Sequence, residues 1–285
     1  MKRNFYLEEL NLKSRLKIRG ILMALVVLVG ALAPAATVTS AQDALSGTLT
    51  VAGSTSVQPI AEMLAEEFQT QNPGVKINVQ GGGSSAGVKA AQTGAAQIGM
   101  SSRELKENEK SLHETVVARD GIAIIVHPKN KVSNLTVTQI QAIFAGKITN
   151  WKEIGGKNAP IRVVIREAGS GTRGAFEEMV MGKVAVTERA IVQGSTGAVR
   201  QTVSGDPDAI GYISFDALGK EVKSVKVAGV EAKAQNIKNG SYKIARPFLF
   251  LTREEPTGLV KAFIDFVLSE RGQAIIAQEG LVRVK

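Results

Sequence analysis

The chain alternates short apolar segments with longer segments in which apolar residues recur every three or four positions. In residues 56–71, for example, Ile60, Leu64 and Phe68 recur at a spacing of four, and Glu62 lies between them. Such spacing predicts a helix with one buried face, whereas short apolar runs predict β-strands. Strands that alternate with helices are typical of an α/β fold with a largely parallel sheet.

The predicted elements begin near Leu45 and continue almost to the C-terminus. The pattern predicts strands at residues 47–52, 75–80, 98–100, 121–127, 161–165, 211–213 and 247–252. It predicts helices at residues 56–71, 86–93, 138–145, 172–180, 196–204 and 256–279. No sequence repeat and no low-complexity linker occurs among them, so the pattern does not indicate a repeat protein.

The first 41 residues follow a different pattern. A basic stretch precedes the apolar run 21–33, and small residues then lead to Ala41. This order is typical of a secretory signal, so we expect an exported protein that is cleaved after Ala41, with Ala36 as a second possible site. The run of about 13 apolar residues is shorter than a bilayer span. An uncleaved membrane anchor is the alternative, because the basic stretch is long for a signal peptide.

Composition and charge narrow the chemistry. The chain has no Cys and two His, which excludes thiol nucleophiles and zinc–cysteine sites and argues against a multi-histidine metal site. The formal charge is +9, but residues 1–41 contain six basic and two acidic side chains, so the remainder carries only +5. Basic and acidic residues are interleaved, and aromatic residues make up 5%. We therefore expect no nucleic-acid partner, no metal and no cofactor.

Four short segments rich in Gly, Ser and Thr each precede a predicted helix. They are residues 53–56, 81–87, 169–174 and 194–197. A helix start has unpaired backbone N–H groups and the positive end of the dipole, so such segments favour anions. Ordinary N-capping explains any one of them. Four together, three of them near the carboxyl ends of strands, predict a ligand site at that edge of the sheet.

Arg166 differs from the other basic residues because it ends a predicted strand just before the segment 169–174. Its planar guanidinium provides a fork of donors that suits a tetrahedral oxyanion. The alternative for Arg166 is a surface ion pair with Glu167 or Glu177.

Two enzyme motifs also occur in the chain. Residues 169–174 fit the dinucleotide pattern G-x-G-x-x-G, but no strand that ends in an acidic residue follows at the expected distance. Residues 83–87 fit G-x-S-x-G, and an Asp and a His follow in hydrolase order. A serine hydrolase that uses Ser85, Asp120 and His127 is therefore an alternative function. No P-loop pattern is present, which argues against an ATPase.

The sequence resembles the phosphate-specific solute-binding proteins of ABC transporters. The likeness covers nearly all of residues 47–285, through the strings GSTSVQPI, GGGSSAGVKAAQTGAAQIGMSSR, DGIAIIV, IFAGKITNW, REAGSGTRGAFEE and DPDAIGYIS. The resemblance implies a type II periplasmic-binding-protein fold, in which two α/β lobes are joined by a two-stranded hinge and the ligand cleft lies between them. One lobe would comprise residues 42–126 plus 246–285, and the other residues 127–245.

The resemblance also implies a function and a site. It implies a protein without catalytic activity, which we expect to be a monomer, that binds inorganic phosphate and delivers it to the membrane permease of an ABC importer. The positions that match the family's phosphate ligands are Thr55, Ser56, Ser84, Ser102, Arg166, Ser170, Gly171 and Thr172.

The chain departs from the family pattern at two of these loops. Ser102 stands where relatives often have an Asp, whose carboxylate accepts the proton of phosphate and disfavours proton-free sulfate. We expect Asp120 to supply that acceptor instead, and Arg103 to add positive charge. Ala168 stands where relatives often have an Asp that pairs with the arginine, which would leave Arg166 freer. The departure at Ser102 keeps sulfate, molybdate and tungstate as alternative ligands.

Overall fold

The computed structural model describes residues 44–284, so the predicted signal peptide lies outside the described residues. The strands are β1 (Ser46–Gly53), β2 (Gly74–Gly81), β3 (Ile98–Ser101), β4 (His113–Val126), β5 (Asn134–Leu135), β6 (Arg162–Arg166), β7 (Ile191–Gln193), β8 (Ala209–Ser214), β9 (Lys223–Val227) and β10 (Ala245–Thr252). The helices are α1 (Gln58–Gln71), α2 (Ser84–Thr93), α3 (Val137–Phe144), α4 (Gly171–Phe176), α5 (Thr196–Gly205), α6 (Ala234–Lys238), α7 (Gly258–Leu268) and α8 (Glu270–Gln278).

The strands form one curled mixed sheet in the order β2-β1-β3-β10-β4-β8-β6-β7, and β9 pairs with β4 and β5. Parallel pairs lie towards both ends: β1 is parallel to β2 and β3, and β6 is parallel to β7 and β8. The centre is antiparallel, because β10 and β4 run against each other and against their neighbours. The prediction of a largely parallel sheet is therefore wrong at its centre, although the α/β class is right.

Strand β4 is longer than its sequence pattern predicts. The prediction began at Gly121, whereas the strand begins at His113, in a stretch where charged residues interrupt the apolar run. Its first half pairs with β10, and its second half pairs with β8 and β9. Strand β4 therefore connects the two halves of the sheet.

Two large hydrophobic cores lie on either side of this passage. The first core contains residues from 49–118 and 248–281, and the second contains residues from 122–244 together with Val282. Aromatic pairs stabilise each: Phe68 and Phe263 meet edge to face at 5.4 Å between ring centroids, and Phe176 stacks on Tyr212 at 4.2 Å. Such pairs contribute about 0.5–1.5 kcal/mol beyond their buried area.

Several helix boundaries also differ from the prediction. Helix α1 begins at Gln58 rather than residue 56, after a turn in which the amides of Val57 and Gln58 donate to the carbonyl of Ser54. The predicted helix 256–279 is two helices, because Ser269 breaks it and caps α8 by accepting from the amide of Gly272. Among the described residues, no helix is both long enough and apolar enough to cross a bilayer.

Candidate functional site

Loops of the first core bring together four serine side chains. Ser54 and Ser56 follow β1, Ser84 begins α2, and Ser102 follows β3; all four are buried. Ser54 Oγ donates to Ser102 Oγ at 2.9 Å, and the amide of Ser102 donates to Ser84 Oγ at 3.1 Å. Because β1 and β3 are parallel neighbours, the loops at their carboxyl ends meet at one edge of the sheet.

Close backbone packing sets the position of Ser84. A Cβ at Gly87 would lie 2.5 Å from Met100 O and 2.9 Å from Gly53 Cα, so only glycine allows α2 to pack this closely on β1 and β3. Gly53 has φ +139°, a conformation that side-chain-bearing residues rarely adopt. These glycines bring the start of α2 next to the ends of both strands.

Loops of the second core bring Arg166, Ser170 and Thr172 to the same place. Arg166 ends β6 with 2% of its surface exposed, and Thr172 is in the first turn of α4 with 1% exposed. Ser170 is the N-cap of α4, because its Oγ accepts from the amide of Arg173 at 3.2 Å. Its hydroxyl therefore has a structural partner already.

Arg166 is not left without a carboxylate partner. Its Nε and Nη2 donate to the two oxygens of Glu167, both at 2.8 Å. The expectation that Ala168 leaves this guanidinium freer is therefore wrong, because Glu167 replaces the missing Asp. Pairing with Glu167 was the alternative expected for a surface arginine, but this pair is buried on the arginine side. Glu177, the other expected partner, pairs with Arg173.

The two sets of loops are in direct contact. Ser56 Oγ lies 2.8 Å from Thr172 Oγ1, and the amide of Ser85 donates to the carbonyl of Gly169 at 3.1 Å. Gly171 packs against the serines: a Cβ there would lie 2.2 Å from Ser84 Oγ and 2.7 Å from Ser102 Oγ.

Three further side chains belong to this place and were not predicted there as ligands or partners. Ser54 lies in the string GSTSVQPI, and Thr196 lies in the fourth Gly/Ser/Thr segment, so both belong to motifs that the sequence analysis singled out. Thr196 Oγ1 lies 2.9 Å from Ser56 Oγ and accepts from Arg166 Nη1 at 3.1 Å, and its amide donates to Thr55 Oγ1. The third is Arg246, a charged residue at the start of an apolar strand. We call the hydroxyl groups of Ser54, Ser56, Ser84, Ser102, Thr172 and Thr196 the hydroxyl cluster.

Asp120 has other partners than the one expected. Its Oδ2 accepts from Ser214 Oγ at 2.7 Å and from two nitrogens of Arg246, and its Oδ1 accepts from the amide of Phe215. Arg246 in turn donates to the carbonyl of Ser102 at 3.1 Å. These contacts argue against Asp120 as the acceptor of a ligand proton, because its oxygens are already used. Its link to the site runs through Arg246, which also donates to Ser102.

A second carboxyl group, Asp216, lies near Asp120 on the short turn Phe215–Ala217. Its Oδ1 is buried, with no hydrogen-bond partner within residues 44–284. Burial raises the pKa of Asp216 to about 7, and the negative charge of Asp120 adds to that increase. Asp216 also lines a cavity of about 260 Å³, together with Thr55 and Thr196.

Arg103 does not supply free positive charge. Its Nη1 and Nη2 donate to the two oxygens of Glu109, at 2.7 and 2.9 Å. The pKa of Glu109 is lowered by this arginine. The ion pair therefore neutralises the charge that the sequence suggested for Arg103.

The side chains of the hydrolase alternative are not assembled. His127 Nδ1 accepts from the amide of Lys129 at 3.0 Å, and Asp120 is held by Arg246 and Ser214. Within residues 44–284, no hydrogen bond joins Ser85, Asp120 and His127. The same range contains no cluster of His, Asp and Glu side chains that could hold a metal ion.

Comparisons with known proteins identify the family of the chain. Residues 38–271 match a family model described as a PBP superfamily domain. The chain is 36% identical to the phosphate-binding protein PstS of Bacillus subtilis over 249 residues, which are 85% of this chain and 83% of that protein.

Solved structures are similar as well. One is a putative phosphate ABC transporter substrate-binding protein with bound phosphate from Clostridium perfringens, with 50% identity and a TM-score of 0.82 over 84% of this chain and 100% of that one. Another is an ABC-type phosphate transport receptor from Vibrio cholerae, with 38% identity and a TM-score of 0.69 over 82% and 99%. The expected type II periplasmic-binding-protein fold is thereby confirmed. The chain belongs to the PBP superfamily and, within it, to the PstS family of substrate-binding proteins of phosphate ABC transporters.

Proposed function

We propose that this protein binds inorganic phosphate at the hydroxyl cluster and delivers it to the permease of an ABC-type importer. The observation that carries the proposal is the convergence of buried hydroxyl groups from both cores, one of which, Thr196, accepts from the guanidinium of Arg166. The phosphate bound in the Clostridium perfringens structure, at 50% identity, supports the same ligand here.

The chemistry of the site suits a dehydrated oxyanion. Each Ser or Thr hydroxyl can turn its proton towards an anion, so the bonds that now join Ser56 to Thr172 and Ser54 to Ser102 are exchangeable. Hydrogen bonds to a charged group contribute about 1.5–3 kcal/mol each. Because Glu167 balances the charge of Arg166, we attribute most of the affinity to the number of neutral donors.

We further propose two lobes that close on the ligand. Residues 44 to about 120, together with those from about 246 to 284, form one lobe, and the residues between them form the other. The two separate cores support this division, and it moves the first boundary between the lobes from the expected residues 126 and 127 to the middle of β4. Ligand groups from both lobes would make full coordination possible only in the closed form, so the ligand favours closure. The closed form is what we expect the permease to recognise.

Selectivity is the weakest part of the expected site. Ser102 replaces a carboxylate, Asp120 is engaged by Arg246, and the carboxylate of Glu167 is engaged by Arg166. A hydroxyl group both donates and accepts, so it discriminates less strongly than a carboxylate between phosphate and sulfate. We therefore propose a preference for phosphate that is smaller than an Asp at position 102 would give.

Calorimetric titration of the phosphate-stripped full chain tests the function. Phosphate and sulfate are titrated separately, at pH 5.5 and at pH 8. Tight phosphate binding with weaker sulfate binding supports the proposal, whereas sulfate bound as tightly or more tightly would assign another oxyanion. Heat from neither anion would refute it. A chromogenic ester assay with Ser85→Ala as the control then tests the hydrolase alternative, which we do not favour.

A further inference from the structure

The segment 194–197 has no counterpart among the phosphate positions that the family resemblance implies. Its residue Thr196 nevertheless makes contacts on both sides of the site and is 3% exposed. On the first-core side, Thr196 Oγ1 is hydrogen-bonded to Ser56 Oγ and the amide of Thr196 donates to Thr55 Oγ1. On the second-core side, it accepts from Arg166 Nη1. Among the described residues, no other side chain of the hydroxyl cluster is hydrogen-bonded to side chains from both cores.

The contact with Arg166 determines which donors the guanidinium has left. A guanidinium has five N–H donors in a fixed plane. Glu167 takes the Nε donor and one on Nη2, and Thr196 takes one on Nη1. The contacts within residues 44–284 therefore leave one N–H on each terminal nitrogen. Because Glu167 bonds the side of the guanidinium that carries Nε, the remaining N–H of Nη2 lies on its outer end, where an oxyanion can accept from it.

The contact with Ser56 joins the two cores. Because Arg166 donates to Thr196 Oγ1, the proton of the Thr196 hydroxyl is available for Ser56 or for a ligand oxygen. Ser56 Oγ is also bonded to Thr172 Oγ1, so Thr172, Ser56, Thr196 and Arg166 form one continuous chain of hydrogen bonds. A chain of this kind couples the orientation of the arginine to the contact between the cores.

We propose that Thr196 is a positioning residue of the phosphate site, which orients the guanidinium of Arg166 and latches the closed form through Ser56. This inference rests on the proposed function and extends it to a residue outside the family's ligand positions. A latch forms after the ligand has entered, so its loss should raise the dissociation rate constant and leave the association rate constant nearly unchanged.

Three substitutions of Thr196 distinguish the role of its hydroxyl group from that of the rest of the side chain. Thr196→Val keeps the branched shape and removes the hydroxyl, Thr196→Ser keeps the hydroxyl and removes the methyl, and Thr196→Ala is a second removal variant if valine impairs folding. Thr202→Val is the matched control. It lies on the same helix, and its hydroxyl bonds Gln193 and the carbonyl of Ala198, away from the hydroxyl cluster.

The experiment measures phosphate Kd by calorimetry and koff by chase of labelled phosphate with unlabelled phosphate, on the full chain. We expect Thr196→Val and Thr196→Ala to raise Kd about 10- to 100-fold, almost entirely through koff, since a hydrogen bond to a charged group is lost. Thr196→Ser should stay within about threefold of wild type, because it restores that bond. Thr202→Val should bind like wild type. Thermal melting of each variant checks that it is folded.

Two results would overturn the inference while the proposed function stands. One is phosphate binding by Thr196→Val and Thr196→Ala within twofold of wild type. The other is weaker binding in Thr196→Ser and Thr196→Ala with wild-type affinity in Thr196→Val, which would assign the effect to packing of the methyl group. If the wild-type chain itself does not bind phosphate, the proposed function fails and the inference fails with it.

Discussion

At Gly171, a single added methyl group should weaken phosphate binding without affecting the folding of the protein. In Gly171→Ala, the added Cβ would lie 2.2 Å from Ser84 Oγ, 2.7 Å from Ser102 Oγ and 2.9 Å from Ser84 Cβ. Rotation of the hydroxyls relieves the first two contacts but not the third, because Ser84 Cβ is fixed by the backbone of α2. The substitution keeps the backbone amide, so any loss of binding comes from the steric conflict.

The conflict lies between loops of the two cores, so it acts on the closed form more than on either core. Overpacking by a methylene in a close-packed region costs about 1–3 kcal/mol. If opening of the cleft relieves that strain, the whole penalty appears in the binding equilibrium. We therefore expect Gly171→Ala to raise the phosphate Kd by about 5- to 150-fold, with a melting temperature in the absence of phosphate close to that of wild type.

Gly169→Ala is the matched control for this substitution. A Cβ at Gly169 would lie 3.9 Å from Ser85 Cβ, an ordinary van der Waals contact in the same loop. Calorimetry and thermal melting with and without phosphate compare the two variants with wild type. Wild-type affinity in Gly171→Ala would refute the reasoning, because it would show that the two cores need not approach this closely to hold phosphate. Equal weakening in Gly169→Ala would refute the steric explanation.

Three further predictions follow from the same contacts. Arg166→Ala should weaken phosphate binding by about 2–5 kcal/mol in calorimetry, because it leaves Glu167 unpaired beside the anion. Adding Glu167→Gln to Arg166→Ala should restore part of the loss. An affinity of Arg166→Ala within threefold of wild type would place Arg166 outside the site. For Asp216, burial raises the pKa to about 7 in the folded protein, above the usual value of about 3.9 in an unfolded chain. Its contribution to stability is therefore full below pH 4 and lost as the pH rises through 7, by up to about 4 kcal/mol. Asp216→Asn should flatten urea-derived stability between pH 5 and pH 8 relative to wild type and to the exposed control Asp265→Asn, and an unchanged slope would contradict the raised pKa. Deletion of residues 1–41 should leave a soluble monomer with unchanged phosphate affinity, measured by light scattering and calorimetry; aggregation or lost binding would count against the signal peptide.

Local patterns predicted most of the elements, and the exceptions have physical causes. Strands β5 and β7 have two and three residues, too few for a periodic signal to stand out. Strand β9 is as long as the predicted β6, but its two lysines and its serine leave no apolar run. The first half of β4 mixes charged and apolar residues, whereas residues 121–126 form a continuous buried run without a charged residue. Its pairing with β10 joins residues more than a hundred positions apart, such as Ala118 and Phe248, and no local pattern carries that information.

By itself, the sequence predicted which loops come together at one edge of the sheet and that Arg166 accompanies them. Such loops can be predicted because a Gly/Ser/Thr segment after a strand and at the start of a helix presents backbone N–H groups and hydroxyls. This property depends on the local sequence and not on the tertiary structure. That these residues bind phosphate stays a prediction until titration tests it.

Only the tertiary structure decided the partners of those residues. Thr196 meets Ser56 across 140 positions, and Arg246 meets Asp120 across 126. Each of these polar groups is buried, so it must find a partner, but many donors and acceptors in the chain satisfy that need. Burial requires that each of these groups has a partner, but the path of the backbone determines which partner lies within reach. In this fold, Asp120 pairs with Arg246 rather than with a ligand, and Thr196 accepts from Arg166.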